Sequence, residues 1–435
     1  MREEYIMKSN SNKIIPYEML HEALYTTKEL VNGGPAEDEL LVLKSFLKHL
    51  TTVVKRYIEN ADKGYPVIGH HFAWPAEIFY CYDFVPVVFE GIPYILSALL
   101  PEGSERFYDI SDGHGHPYHT CTSQKGTLGM TIDGLFKFDV ISSPTSPCDN
   151  TFGSYPIIRQ FYDDKTPFIL ADMPYYRNER SYEYYGNELK AVVEQVGKAI
   201  DQEPDYEKLK KAVEINNQML DYVAEINELK KLKPNPIESM LCPLMTAVMA
   251  FIPGQPERAL FFKDVLEIAK KRAKNGERAQ EGEEKIRTIW PYMSVFFDIG
   301  FCEWLDRHLG MSMLFDIFNY PFFHKIEANK GPEKIFEGLA IQSMNYPMVR
   351  QSATFCDDLL DDFVFLSKEY DADCAIFTAH IGCKQSVSVI QLLREALRDQ
   401  VGIPMLSIDM DIGDARYTSI QTVKKEISNF VKTLL

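Results

Sequence analysis

Three of the eight cysteines in this chain lie where a strand is predicted to end in a turn. Cys121 lies in H-T-C-T-S-Q-K-G, Cys148 in S-S-P-T-S-P-C-D-N-T and Cys383 in T-A-H-I-G-C-K-Q-S. Short apolar runs of strand type precede Cys148 and Cys383. In open parallel α/β sheets, ligands bind beyond the carboxyl ends of the strands. Thiolates are soft ligands that select zinc or iron–sulfur clusters, so we predict that these thiols share one iron–sulfur cluster.

The elements that must position these thiols form two sets. Residues 64–174 alternate short apolar runs with turns and helices, which indicates a parallel sheet. A second set of strand-like runs follows: W-P-Y-M-S-V-F-F, A-D-C-A-I-F-T-A and I-P-M-L-S-I-D-M-D. We therefore predict an α/β fold in which two parallel-sheet domains of flavodoxin- or Rossmann-like type face a central cleft. Cys121 and Cys148 would come from the first domain and Cys383 from the second.

Helical patterns and breaks in the sequence give the predicted boundaries. K-L-K-P-N-P-I interrupts a long helical region and is interpreted as a hinge. The predicted parts are an N-terminal helical segment at 1–63, a first α/β domain at 64–178, a helical linker at 179–235 and a second α/β domain at 236–435. Helices are predicted at 154–163, 187–200, 206–229, 385–399 and 419–435.

Composition excludes several classes of function. The formal charge of −17 argues against nucleic acid and anionic membrane surfaces as partners, because either would require a basic face. No apolar run reaches the length of a membrane span, and the first residues lack the apolar core of a signal peptide, so we expect a cytoplasmic protein. Eight irregularly spaced cysteines in 435 residues do not indicate a disulfide framework. The sequence contains no P-loop or G-x-G-x-x-G motif for binding phosphate. If the function requires ATP hydrolysis, we therefore expect another protein to carry it out.

Five stretches in order carry a family resemblance: P-A-E-I-F-Y-C-Y-D-F-V-P-V at 75–87, the Cys121 segment, S-P-C-D-N-T at 146–151, W-P-Y-M-S-V-F-F-D-I-G-F-C-E-W-L at 290–305 and E-Y-D-A-D-C-A-I-F-T-A-H-I-G-C-K-Q at 369–385. With them the chain resembles the iron–sulfur subunits of the 2-hydroxyacyl-CoA dehydratase and benzoyl-CoA reductase family. The stretch at 290–305 is the more similar to the reductase side.

The resemblance implies a chemistry and a set of partners. Cys121, Cys148 and Cys383 would hold a [4Fe–4S] cluster with one iron free of protein ligands. In the family, such an iron meets the thioester carbonyl of an acyl-CoA substrate, and one low-potential electron yields a ketyl radical. Dehydratases then expel a hydroxyl group, whereas benzoyl-CoA reductases reduce the aromatic ring. The implied partners are a homologous second subunit and an ATP-hydrolysing activator protein that donates electrons.

Five further residues are candidates for the site. Glu77 is expected as a general acid or base near the thioester, or else as a carboxylate stabilised by a helix N-terminus. Lys125 and Lys384 are predicted to bind the cofactor by offsetting its charge, although loop lysines are usually solvated. His119 or His380 would protonate substrate or donate a hydrogen bond to a sulfide. Buried histidines more often pair with backbone carbonyls.

Three alternatives remain open at this point. The H-x-H-x-x-H spacing of His114, His116 and His119 is suggestive of zinc, although it lies in a Gly/Pro loop. The other five cysteines are interpreted as core residues, but they leave enough thiols for a homodimeric reductase with a double-cubane [8Fe–9S] cluster. A metal-free, two-domain protein that closes on a small ligand is the third possibility.

Overall fold

Two parallel sheets form the centre of the molecule. The computed structural model describes residues 14–33, 40–100, 102–163, 165–319, 322, 324–353 and 356–435. The first sheet has the order β2-β1-β3-β4, with β1 at Val67–His70, β2 at Val85–Val88, β3 at Val140–Pro144 and β4 at Phe168–Ala171. The second has the order β6-β5-β7-β8, with β5 at Ile286–Ile289, β6 at Met311–Phe315, β7 at Cys374–His380 and β8 at Met405–Met410. The strand pairings within these two sheets are all parallel, and the predicted fold class is confirmed.

Helices surround both sheets. The N-terminal pair is α1 (Ile15–Asn32) and α2 (Leu41–Asp62), and the first sheet carries α3 (Gly91–Leu99), α4 (Glu105–Gly113), α5 (Thr122–Ile132) and α6 (Asp149–Arg159). Four helices lie in the chain between the last strand of the first sheet and the first strand of the second: α7 (Glu179–Ile200), α8 (Tyr206–Leu229), α9 (Leu241–Phe251) and α10 (Pro256–Asn275). The rest are α11 (Phe301–Leu309), α12 (Pro332–Met344), α13 (Val349–Ser352), α14 (Cys356–Glu369), α15 (Lys384–Val387), α16 (Ile390–Gln400) and α17 (Ile420–Leu434). Short 3-10 helices occupy Ala76–Cys81, Ile317–Asn319 and Ala328–Lys330.

Burial explains why the strands are mostly apolar. All residues of β1, β2, β3, β5, β6 and β7 are buried, as expected when helices cover both faces of a parallel sheet. One apolar cluster runs continuously from the N-terminal helices through both sheets. A second covers the other face of the first sheet, where α7 and α12 pack together. Helix α10 packs on α2 and α8, which ties the N-terminal helices to the helices between the sheets.

Several local predictions differ from the structure. The run that begins at Trp290 is not a strand, because β5 ends just before it and Pro291 has no N–H to donate to a ladder. Strand β6 was not predicted. The helix expected at 154–163 is α6, which begins at Asp149, and the one expected at 385–399 is divided into α15 and α16. None of the helices in the described ranges has the length and apolar character needed to cross a bilayer.

Candidate functional site

The three predicted thiols line one cavity, which we call the thiol cavity. Cys121, Cys148 and Cys383 border a space of about 840 Å³, including its opening to solvent. Their loops touch directly. A Cβ atom placed on Gly382 would lie 2.5 Å from Cα of Cys121. Asn150 Nδ2 donates a hydrogen bond to the Gly382 carbonyl at 2.8 Å. The fold therefore brings together loops that are far apart in the chain.

Each of the three cysteines immediately precedes a helix. Cys148 and Cys383 follow β3 and β7 and cap α6 and α15, so both lie beyond a strand end as predicted. Cys121 does not follow a strand, and that part of the prediction is wrong. It caps α5 after the turn that leaves α4. Cys121 and Cys148 thus lie at the positive ends of the α5 and α6 dipoles, where negative charge is stabilised.

Burial keeps the thiols of Cys121 and Cys148 protonated unless a cation binds them. It raises the pKa of Cys121, against a lowering contribution from the Tyr94 hydroxyl, 3.6 Å from its sulfur. Burial raises the pKa of Cys148 to about 11, although hydrogen bonds from Thr151 oppose it. The neighbouring Cys383 raises both pKa values further. Metal ligation would therefore displace protons from the thiols.

A fixed chain of hydrogen bonds ends on Cys148. Ala73 N–H donates to His71 Nδ1 at 3.0 Å, so the neutral His71 ring carries its proton on Nε2. Nε2 lies 2.9 Å from the Thr151 hydroxyl oxygen and donates to it. The Thr151 hydroxyl oxygen lies 3.3 Å from the Cys148 sulfur, and Thr151 N–H donates to the same sulfur at 3.5 Å. As a thiolate, the Cys148 sulfur can therefore accept two hydrogen bonds from Thr151.

No group of three or more His, Cys, Asp or Glu side chains in the described part of the chain is arranged to hold a metal ion. The histidines of the H-x-H-x-x-H pattern are accordingly not gathered around one point. His114 and His119 are exposed, and His114 Nδ1 lies 2.9 Å from its own helix carbonyl at Ile110. A four-iron cluster differs from a single ion, because each thiolate binds a different iron and the ligands surround a cube.

Glu77 lines a second cavity beside the first, of about 810 Å³ including its opening. The side chain is 6% exposed, and Arg258 Nη1 donates to its Oε1 at 2.5 Å. It lies within a 3-10 helix, and its partner is this guanidinium. Phe72, Ala250 and Tyr346 line both cavities and separate them. Glu77 is therefore next to the thiol cavity and outside its lining.

The two candidate histidines lie in different surroundings. His119 is exposed in the turn before Cys121, away from the linings of both cavities. His380 is fully buried at the end of β7, and its ring stacks on Tyr292 with centroids 6.3 Å apart. Neither of its ring nitrogens has a hydrogen-bond partner among the described residues, and the Asp411 carboxylate lies 3.8 Å from Nδ1. Burial lowers the pKa of His380. Tyr292 belongs to the lining of the thiol cavity, whereas His380 does not.

The candidate lysines are engaged in ion pairs. Lys125 is buried on α5, and its Nζ lies 2.8 Å from the Asp112 carboxylate and 4.9 Å from the centre of the Tyr118 ring. Lys384 Nζ is exposed and lies 3.0 Å from the Asp149 carboxylate. Neither lysine is part of the cavity lining. Their predicted role in binding a cofactor stays a prediction.

The remaining cysteines lie elsewhere. None of them belongs to the thiol cavity as the described residues define it. Four are buried among apolar side chains, and the fifth, Cys356, is partly exposed at the start of α14: Cys81, Cys242, Cys302, Cys374 and Cys356.

Sequence reasoning missed Glu90, which lines the thiol cavity. It directly follows Phe89 at the carboxyl end of β2 and is 3% exposed. A signal was present, because V-P-V-V-F-E places a lone carboxylate after a buried parallel strand, where ligands bind. Burial raises the pKa of Glu90 to about 7, against lowering contributions from Tyr155, backbone N–H groups and Gln124.

Comparison with known proteins gives one clear result. No curated protein matches the chain. The model of the family described as "2-hydroxyglutaryl-CoA dehydratase, D-component" matches residues 72–434, which is most of the 435-residue chain and includes all three thiols. The resemblance drawn from the sequence is confirmed. The chain therefore belongs to the family of 2-hydroxyglutaryl-CoA dehydratase D-components and is a subunit of a dehydratase-type enzyme.

Proposed function

We propose that this chain holds a [4Fe–4S] cluster through Cys121, Cys148 and Cys383 and dehydrates a 2-hydroxyacyl-CoA together with partner proteins. The observation that carries the proposal is the meeting of three thiols, from loops of both sheets, in one cavity. Its partners would be a homologous second subunit and an ATP-hydrolysing activator that supplies low-potential electrons.

The donor set suits such a cluster. Soft thiolates are ligands of iron–sulfur clusters as well as of zinc, and three thiolates on a four-iron cube leave one iron open. When bound, the cluster would supply a Lewis-acid position and a route for one-electron transfer at the thioester. The helix starts at Cys121 and Cys148 favour the negative charge of such a group.

The chain's own residues would shape the reaction space. Thr151 N–H and the Thr151 hydroxyl would both donate to a Cys148 thiolate, and His71 orients that hydroxyl. Hydrogen bonds to ligand sulfurs tune the potential of a cluster. Aromatic side chains, Phe72, Tyr94 and Phe296 among them, line the cavity and would keep water from an acyl group bound there.

The family match favours dehydration over ring reduction. The preference for the benzoyl-CoA reductase side that the 290–305 stretch suggested gains no support, because the matching family is described as a dehydratase component. The double-cubane alternative would require six thiols at one site. Three line the thiol cavity within the described ranges, which favours a single cube.

Iron and acid-labile sulfide measured on the anaerobically purified chain test the proposal. About four irons per chain are expected. Cys121→Ser, Cys148→Ser and Cys383→Ser should each lose the iron and the brown absorbance, since each removes one of three protein ligands. Cys356→Ser is the matched control, because Cys356 is also partly exposed but lies outside the cavity lining.

The other possible results of these iron measurements would contradict the proposal in different ways. About eight irons per chain, with iron also lost in Cys242→Ser, would establish the double-cubane reductase. Iron-free protein after anaerobic purification and reconstitution would support the metal-free binding protein. Full iron content in two of the three cavity variants would show that the ligand assignment is wrong.

A further inference from the structure

The described lining of the thiol cavity contains few ionisable side chains. Apart from the three thiols, Glu90 is the only ionisable acid or base among the described lining residues other than tyrosines. Most other lining side chains are apolar or aromatic, for example Phe251, Phe296 and Phe318. No lysine, arginine or histidine belongs to that lining in the part of the chain that the structure describes. An acyl group in this cavity would therefore meet no cationic side chain.

The two carboxylate oxygens of Glu90 have different surroundings. Oε1 accepts hydrogen bonds from the Tyr155 hydroxyl at 2.8 Å and from Gln124 Nε2 at 3.3 Å. His71 Nε2 lies 3.4 Å from the same oxygen. Oε2 is buried and has no hydrogen-bond partner within the described residues. A buried polar atom without a partner is costly, and here it belongs to a cavity-lining residue.

The groups that contact Glu90 within the described residues do not supply a positive charge. The titratable side chains among them are His71 and Tyr155. Burial lowers the pKa of His71 well below its usual value, so the imidazole is neutral. Burial raises the pKa of Tyr155, so the phenol is neutral too. Burial raises the pKa of Glu90 to about 7, so its carboxyl can exist in either protonation state near neutral pH.

We propose that the thiol cavity accepts an uncharged, apolar or aromatic 2-hydroxyacyl group, and that Oε2 of Glu90 forms a hydrogen bond with its hydroxyl. This inference rests on the proposed function and names the substrate class of the same site. Glu90 would then touch the substrate directly and act as a specificity-determining residue.

Two physical arguments define the selectivity. A hydroxyl group can donate to a carboxylate or accept from a carboxylic acid, so it satisfies Oε2 in either protonation state. A thioester without the hydroxyl leaves Oε2 unpaired, and sites built to bind a hydroxyl discriminate strongly against such analogues. A dicarboxylic acyl group would bury a second carboxylate with no cation to pair it, which carries a large desolvation cost.

Equilibrium binding of three CoA thioesters tests the inference. The sample is the complete complex with its partner subunit, kept anaerobic and without activator or ATP, so that no turnover occurs. The probes are 2-hydroxy-3-phenylpropanoyl-CoA, 3-phenylpropanoyl-CoA and 2-hydroxyglutaryl-CoA. The first should bind at least about tenfold more tightly than either of the others, on the scale of one hydrogen bond to a chargeable group.

Variants separate Glu90 from the rest of the cavity. Glu90→Leu should abolish the difference between the hydroxylated and deoxy aromatic thioesters. Glu90→Gln should keep part of it, because an amide still forms hydrogen bonds. Glu238→Gln is the matched control, since Glu238 is an equally buried carboxylate that pairs with Arg272 away from both cavities. If the leucine variant does not fold, the glutamine variant decides by a reduced difference.

The outcomes distinguish this inference from the proposed function. Full hydroxyl discrimination in Glu90→Leu, or in Glu90→Gln if only that variant folds, would overturn the role of Glu90. Equal or tighter binding of 2-hydroxyglutaryl-CoA would overturn the uncharged substrate class. Either result with normal iron content leaves the proposed function standing. A complex that contains no iron and binds none of the thioesters overturns both.

Discussion

The titration of Glu90 can be predicted from its surroundings. Its carboxyl is 3% exposed, and burial raises its pKa from 4.5 to about 7. This difference corresponds to about 3 kcal/mol in favour of the protonated form in the folded chain. Because the folded state binds this proton more tightly than the unfolded state, the stabilising contribution is fully present below pH 4.5. It is lost as the pH rises from about 4.5 to about 7.

Glu90→Gln removes this titration while keeping the shape of the side chain. Relative to the parent protein, the variant should gain up to about 3 kcal/mol of unfolding free energy as the pH rises from about 4.5 to about 7. The direct measurement is the infrared difference spectrum, parent minus variant, across this pH range. The carbonyl band of a protonated carboxylic acid should disappear with a midpoint near pH 7.

A second carboxylate provides the control for this titration. Hydrogen bonds from His49 and Ser45 outweigh the effect of burial and lower the pKa of Asp264. The corresponding difference spectrum for Asp264→Asn should contain only the bands of an ionised carboxylate over the same pH range. If the Glu90 band titrated below pH 5, like that of a solvated carboxyl, the burial argument for this residue would be refuted.

Three further predictions concern activity and assembly. Glu77→Gln should lower turnover by about one to four orders of magnitude with iron content unchanged, the range for a general acid or base. Unchanged turnover would leave Glu77 as the structural partner of Arg258. The chain alone should show no turnover of acyl-CoA with dithionite as reductant. Turnover should require the second subunit together with the activator and ATP. Sustained turnover would instead favour the homodimeric double-cubane reductase. Gly382→Ala should lose iron, because its Cβ would lie 2.5 Å from Cα of Cys121, whereas Gly153→Ala meets no atom within 4 Å and should retain it.

The sequence predicted those parts of the site that follow apolar runs. β3 and β7 are short buried strands, so the positions of Cys148 and Cys383 beyond their ends could be inferred from the pattern. Cys121 follows a helix and a Gly/Pro turn, and no local pattern places such a loop against another. Its position depends on the direct packing of Gly382 on its backbone, a contact between residues far apart in the chain.

Glu90 and Glu77 show a second limit of sequence reasoning. Both carboxylates follow Pro or apolar segments. Their positions in the sequence do not indicate which cavity each one lines. The distinction arises from Arg258 on α10, which pairs with Glu77, and from Tyr155 on α6, which holds Glu90. Such partners become known only once the helices are packed.

The thiol cavity depends on the contact between the two sheets. Thr122, next to Cys121, donates a hydrogen bond to Asp411 at the end of β8, with 2.9 Å between the oxygens. Tyr94 on α3 stacks on Phe296 from the other half, with ring centroids 5.0 Å apart. These contacts hold together loops that would otherwise have no shared site. A metal bound by thiols from both halves is bound only when they are docked, so its binding free energy stabilises the docked arrangement. The contacts that join the two halves are therefore also the contacts that position the thiols.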